Sequence, residues 1–151
     1  MIGSKEKIKI WLNIQNDELF EIKPYKEKRS LNANNYAWKL ITEIGNKMNL
    51  SKEQVYFSML VDYGQSQMVS VLSSICVDGY FKYYLEAGKS RLNGKEFTHY
   101  KVYKGTSEYD TKEMSIFIDG VVEEAKQLGI ETRTPAEIEQ LKREWDNENN
   151  N

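Results

Sequence analysis

The chain opens on an alternation. Lys7-Ile8-Lys9-Ile10-Trp11-Leu12-Asn13-Ile14 sets apolar residues at nearly every second position, the spacing of a half-buried strand. A turn at Asn16-Asp17 would return Leu19-Phe20-Glu21-Ile22 as a second strand, ended by Pro24. The period then lengthens. Leu31, Tyr36, Ala37, Leu40, Ile41, Ile44 and Met48 recur at helical spacing, with Ser30 as N-cap. Ser51-Lys52-Glu53-Gln54 offers a capping box for a further helix bearing Val55, Met59 and Leu60, closed at Tyr63-Gly64.

Gln67–Val71 reads as a short strand or an extended loop, and Tyr80–Leu85 as a helix closed by Gly88. Lys95–Tyr103 alternates again, with Phe97, His99, Lys101 and Tyr103 on one face and Thr98, Tyr100 and Val102 on the other. Asn93-Gly94 before it is a strong hairpin-turn signal. Asp110 or Thr111 would cap a long helix carrying Met114, Phe117, Ile118, Val121, Val122, Ala125 and Leu128, with Gly129 at its exit. Thr134-Pro135-Ala136-Glu137 combines an N-cap, a proline at the first helical position and a glutamate at the third, and opens a helix bearing Ile138, Leu141 and Trp145. The expected fold is α+β: a small antiparallel sheet packed with four or five helices, one domain over residues 1–145, and a disordered polar tail over 146–151.

Composition narrows the function. At 151 residues with 40% hydrophobic and 29% charged positions, the chain is long enough for one core. No stretch nears the roughly 20 apolar residues of a bilayer span, and no apolar run follows the N-terminal charges as in a secretory signal. One cysteine excludes an intrachain disulfide, and one histidine excludes a zinc finger. No metal site or cofactor is expected, and a reducing interior, the cytoplasm, is the simplest setting.

Cys76 lies in an apolar stretch and reads as a buried structural thiol. His99 reads as a packed or surface side chain on its strand. Glu108, Asp110, Glu113 and Asp119 could hold Mg²⁺ in a carboxylate nuclease, but acids at a helix start are explained by capping and the helix dipole.

The net charge of −2 hides a segregation. Residues 79–104 hold six cations and two carboxylates, while residues 105–151 hold five and twelve. The basic block is also rich in tyrosine. Cations that follow phosphates beside rings that stack on bases are the equipment of a single-strand binder. Lys89, Arg91, Lys95, Lys101, Tyr103 and Lys104 are the candidates there, joined by Lys26, Lys28 and Arg29 ahead of the first long helix. The plain alternative is that the charges are solvated faces and the tyrosines are core.

Arg29-Ser30-Leu31-Asn32-Ala33-Asn34-Asn35-Tyr36-Ala37-Trp38 resembles the signature of the NinB or Orf family of phage recombination proteins: Arg-Ser-Leu, an Asn or Asp, a short polar run, and an aromatic including Trp at a helix start. Tyr109–Met114, the helix after it, and Thr134-Pro135 to Trp145 are similar to related proteins of phages of Gram-positive bacteria. The likeness spans most of residues 28–145 and is strongest in these patches. It implies a non-enzymatic recombination mediator in the bacterial host cell. Such a protein is a homodimer around a basic cleft that binds single-stranded or branched DNA without sequence preference. It helps load a recombinase onto strands coated by single-strand-binding protein. Of the matched residues, Arg29 would touch phosphate, Ser30 and Asn32 would cap, and Leu31 and Trp38 would pack. A protein of another class fits the same composition: an acidic phage protein whose C-terminal helices bind or inhibit a host replication, recombination or defence protein.

Overall fold

The computed structural model describes residues 2–16, 19–24 and 31–149, with side chains described up to residue 146. The chain divides into two compact units, residues 1–30 and 31–151.

In the first unit, α1 (Lys5–Ile14) is a helix where the alternation predicts a strand. Ile8, Trp11 and Leu12 also stand at i, i+3 and i+4, so the segment satisfies a helical period as well. Ser4 decides between them by capping the first turn, its Oγ accepting from the Lys7 amide at 3.3 Å. Residues 19–24 form no regular element, so the second expected strand is absent there too. Phe20 sets its ring edge-on to Trp11, centroids 5.2 Å apart.

The second unit is α+β. In chain order it holds α2 (Ala33–Met48), α3 (Lys52–Tyr63), β1 (Ser66–Leu72), β2 (Tyr84–Leu92), β3 (Lys95–Tyr103), a single 3-10 turn at Thr106–Glu108, α4 (Thr111–Gln127) and α5 (Pro135–Asn149). Asn32 caps α2, its Oδ1 accepting from the Asn35 amide at 2.8 Å; the expected cap, Ser30, lies outside the described residues. The boxes at Ser51/Gln54 and Asp110/Glu113 are both complete. The helix from Pro135 runs through Asn149, so regular structure continues past residue 145, where a disordered tail was expected.

Tyr36, Leu40, Ile41 and Ile44 of α2 pack with Val55, Tyr56, Met59 and Leu60 of α3, with Met114, Phe117, Ile118 and Val121 of α4, and with Ile138, Leu141 and Trp145 of α5. These are the positions that the helical period selects. Trp38 stacks on Tyr56 with centroids 4.1 Å apart, the packing role expected of it.

The three strands form an antiparallel sheet in the order β1-β3-β2. The stretch expected as a helix over Tyr80–Leu85 instead leads into β2, with Tyr84 paired to Val102. Aromatic residues favour a pleated surface. Gly88, at φ 133, follows a bulge at Ala87 and does not close a helix. Asn93 and Gly94, at φ 52 and 76, make the predicted hairpin turn. Among the strand residues only Tyr103 enters the helical core, with Tyr83 just before β2 packed beside it.

Candidate nucleic-acid interface

Register assigns every strand residue to a face. One face carries Ser66, Met68, Ser70 and Leu72 of β1, Lys95, Phe97, His99, Lys101 and the core residue Tyr103 of β3, and Leu85, Ser90 and Leu92 of β2. The other carries Val69, Val71, Glu96, Thr98, Tyr100, Val102, Tyr84, Glu86, Lys89 and Arg91. The β1–β2 connection supplies rings to this second face, where Phe81, Tyr84 and Tyr100 cluster with centroids 5.6–6.1 Å apart. The Tyr84 hydroxyl donates to Asp78, and that bond raises its pKa above the ordinary tyrosine range.

Beyond Tyr103, which packs into the core, the first face is partly open. Met68 is 60% exposed and Leu92 is 64% exposed. No carboxylate stands on it. At its centre His99 is held by two hydroxyls, Ser70 Oγ 2.7 Å from Nδ1 and Ser90 Oγ 2.8 Å from Nε2. Lys101 lies one register step along, between Met68 and Leu85, with Nζ 5.7 Å from the Tyr103 ring centre.

The structure therefore gathers Lys89, Arg91, Lys95 and Lys101 on one hairpin but divides them between its faces, Lys95 and Lys101 open and acid-free, Lys89 and Arg91 beside Glu86 and Glu96. None of the four makes an ion pair among the described residues, nor does Lys82, whose Nζ lies 5.3 Å from the Tyr83 ring centre. Two candidates drop out. Tyr103 is 5% exposed and belongs to the core, so its ring cannot stack on a base. Lys104 is paired with Glu113 at 3.2 Å and borders a groove of about 440 Å³ that also holds Glu108, a poor place for phosphate. Lys26, Lys28 and Arg29 lie outside the described residues.

His99 is legible in the sequence as a strand side chain, but the two serines that hold it are not. Their signal is slight: small hydroxyl residues at alternate strand positions. Ser90 stands just before the Asn93-Gly94 turn, but only the register of β2 against β3, with its bulge at Ala87, shows that it faces His99. Cys76 is exposed, against the expectation of a buried thiol. The acidic cluster is occupied otherwise: Asp110 and Glu113 close the capping box, and Asp119 binds Lys142 at 2.8 Å.

A groove of about 630 Å³ between α2 and residues 130–137 sets Lys39, Lys47 and Arg133 against Glu43, Glu131 and Glu137. Its charges balance, so it offers a polyanion no net attraction. No helix among the described residues is long and apolar enough to cross a membrane. No family model, curated protein or solved structure matches the chain.

Proposed function

We propose that this protein is a non-enzymatic binder of single-stranded or branched DNA and that the open face of its sheet takes the strand. The observation that carries the reading is the acid-free face on a protein with net charge −2. Lys95 and Lys101 supply charge, Ser70 and Ser90 supply hydroxyls, and Met68, Leu85 and Leu92 supply an apolar floor for sugars and base faces. Phosphate contacts of this kind position a strand without reading its sequence. With Tyr103 buried, backbone contacts dominate and ring stacking contributes little.

The likeness of Arg29–Trp38 to the NinB or Orf signature supports the finer reading: an accessory protein of phage recombination that assists recombinase loading, with single-strand-binding protein or the recombinase as partner. The test is a titration of a labelled single strand at two salt concentrations. Each phosphate neutralised on a single strand contributes a log–log salt slope of about −0.7, so contact by Lys95 and Lys101 on the open face predicts a slope of about −1.4. A flat salt response, or no binding at low salt, overturns the reading. Capture of a basic host protein without any DNA binding favours the acidic interaction protein instead.

A further inference from the structure

Within the second unit the sheet has two edges, and they are built differently. β1 and β2 are the outer strands of the order β1-β3-β2. β2 carries Glu86, Lys89 and Arg91 and breaks its register at the bulge. Charges and bulges are what keep an edge from pairing with another chain. β1 has neither. It holds no charged residue, no proline and no glycine, and it pairs with β3 in unbroken register.

The hydrogen bonds show what this edge presents. At the two ends of the β1–β3 ladder, Lys104 N donates to Gln65 O and Ser73 N donates to Glu96 O, both at 3.0 Å. Bonded and non-bonded pairs alternate along an antiparallel ladder. Gln67, Val69 and Val71 therefore bond to β3, while Ser66, Met68 and Ser70 turn their N–H and C=O groups outward. Those outward groups have no partner among the described residues. Leu72, next in the row, has its carbonyl taken by the Ile75 amide at 2.9 Å. The free row is thus three residues long, with donor and acceptor repeating about every 7 Å.

That repeat matches an extended peptide. A DNA backbone only accepts hydrogen bonds and leaves the outward carbonyls unanswered. The groove of about 440 Å³ at the Ser66 end adds a charge. Of its ionised side chains, Lys104 and Glu113 are paired, and the Glu108 carboxylate has no partner among the described residues. It is left to receive a cation. A second β1 would answer the backbone row but would bring no cation to Glu108, since the strand carries none.

We propose that the outer edge of β1 takes an extended segment of a partner protein as a fourth strand, bonded to Ser66, Met68 and Ser70, with a lysine or arginine of that segment beside Glu108. Main-chain bonds supply the affinity in this mode of recognition, and the side-chain contact supplies the selectivity. The proposal does not rest on the DNA reading.

The test uses the full chain and a set of labelled seven-residue peptides of alternating Thr and Val, capped at both ends. One lysine is walked through each position, so that the register finds itself. Fluorescence anisotropy should give a Kd below about 1 mM for at least one peptide. N-methylating one alternate set of its amides should abolish binding, and methylating the other set should spare it, because a strand bonds through one edge at a time. Replacing the peptide's lysine by glutamate should weaken binding by at least about twofold, the scale of an exposed ion pair. Glu108→Lys should reverse that preference. Glu108 is exposed and its carboxylate has no partner, so the variant should unfold at the parent's temperature. No binding by any peptide, binding indifferent to which amides are methylated, or a lysine preference that Glu108→Lys leaves intact overturns the proposal. So does a dimer of the full chain that Met68→Pro dissolves, since the edge then belongs to a second copy.

Discussion

Tyr109 shows how much one side chain decides here. Its ring is 1% exposed and meets Phe117 edge-on with centroids 5.9 Å apart. Its hydroxyl accepts from the Gln65 amide at 2.9 Å, and its carbonyl accepts from Trp145 Nε1 at 3.0 Å. It thus ties the entry of β1 and the body of α5 to the start of α4. Burial pushes its pKa up to about 12 from 10.0. A folded state that holds a proton more tightly than the unfolded chain has that stabilisation in full below the unfolded pKa and loses it as pH rises. Stability should therefore fall between pH 10 and about 12. Tyr63 acts in the same window: its hydroxyl donates to Glu124 at 2.6 Å, and that bond, then burial, raises it to about 12. Tyr109→Phe should cost about 1–2 kcal/mol at neutral pH by removing the acceptor for Gln65. It should also flatten the alkaline decline, read by urea unfolding at pH 8 and pH 11. An unchanged alkaline slope would assign the decline elsewhere. At Cys76 the prediction is kinetic. An exposed thiol should react with an aromatic disulfide reagent in the folded protein at nearly the rate found after denaturation.

Element by element, what the pattern revealed depended on length. The longer helices carry several turns of apolar repeat and paired caps, so α2, α3, α4 and α5 are legible from Tyr36, Leu60, Phe117 and Trp145 outward. Short segments are not. Ile8 to Ile14 satisfies periods of 2 and of 3.6 together, and only the Ser4 cap tips it to a helix. Tyr80 to Leu85 packs five aromatic or aliphatic residues around one lysine, and the pairing of Tyr84 with Val102, eighteen residues away, decides its form. The acid-free face depends on that pairing, so half of the candidate site could not be read from β3 alone.

Local packing also sets a constraint that no period shows. A Cβ on Gly120, in the middle of α4, would overlap the Tyr63 ring of α3. Alanine normally improves a helix by about 1 kcal/mol over glycine, yet Gly120→Ala should destabilise by about 1–3 kcal/mol through overpacking. Adding Tyr63→Ala should remove that penalty. Chemical denaturation of the two single variants and the double variant gives the coupling directly, and additive effects would contradict the close approach.

At the scale of the molecule, charge is sorted by element. The segment from Ser66 to Tyr103 carries Lys82, Lys89, Arg91, Lys95 and Lys101 against Asp78, Glu86 and Glu96, while residues 105–151 hold twelve carboxylates and five cations. Such a distribution would repel a polyanion from the acidic helices, and on the proposed DNA reading the sheet is the landing surface. The sort was legible as blocks of sequence. Its division between two faces was not, because it depends on strand register and on the bulge at Ala87.

That division allows the sharpest test. Fluorescence anisotropy of a labelled single strand at about 50 mM salt should be compared for Lys95→Glu with Lys101→Glu, on the open face, and Lys89→Glu with Arg91→Glu, on the opposite one. Binding through the open face predicts that the first pair lowers affinity by at least about tenfold more than the second and makes the salt slope shallower by about 1.4, the share of two lost phosphate contacts. Equal losses from both pairs, or binding that survives the first pair unchanged, would contradict it.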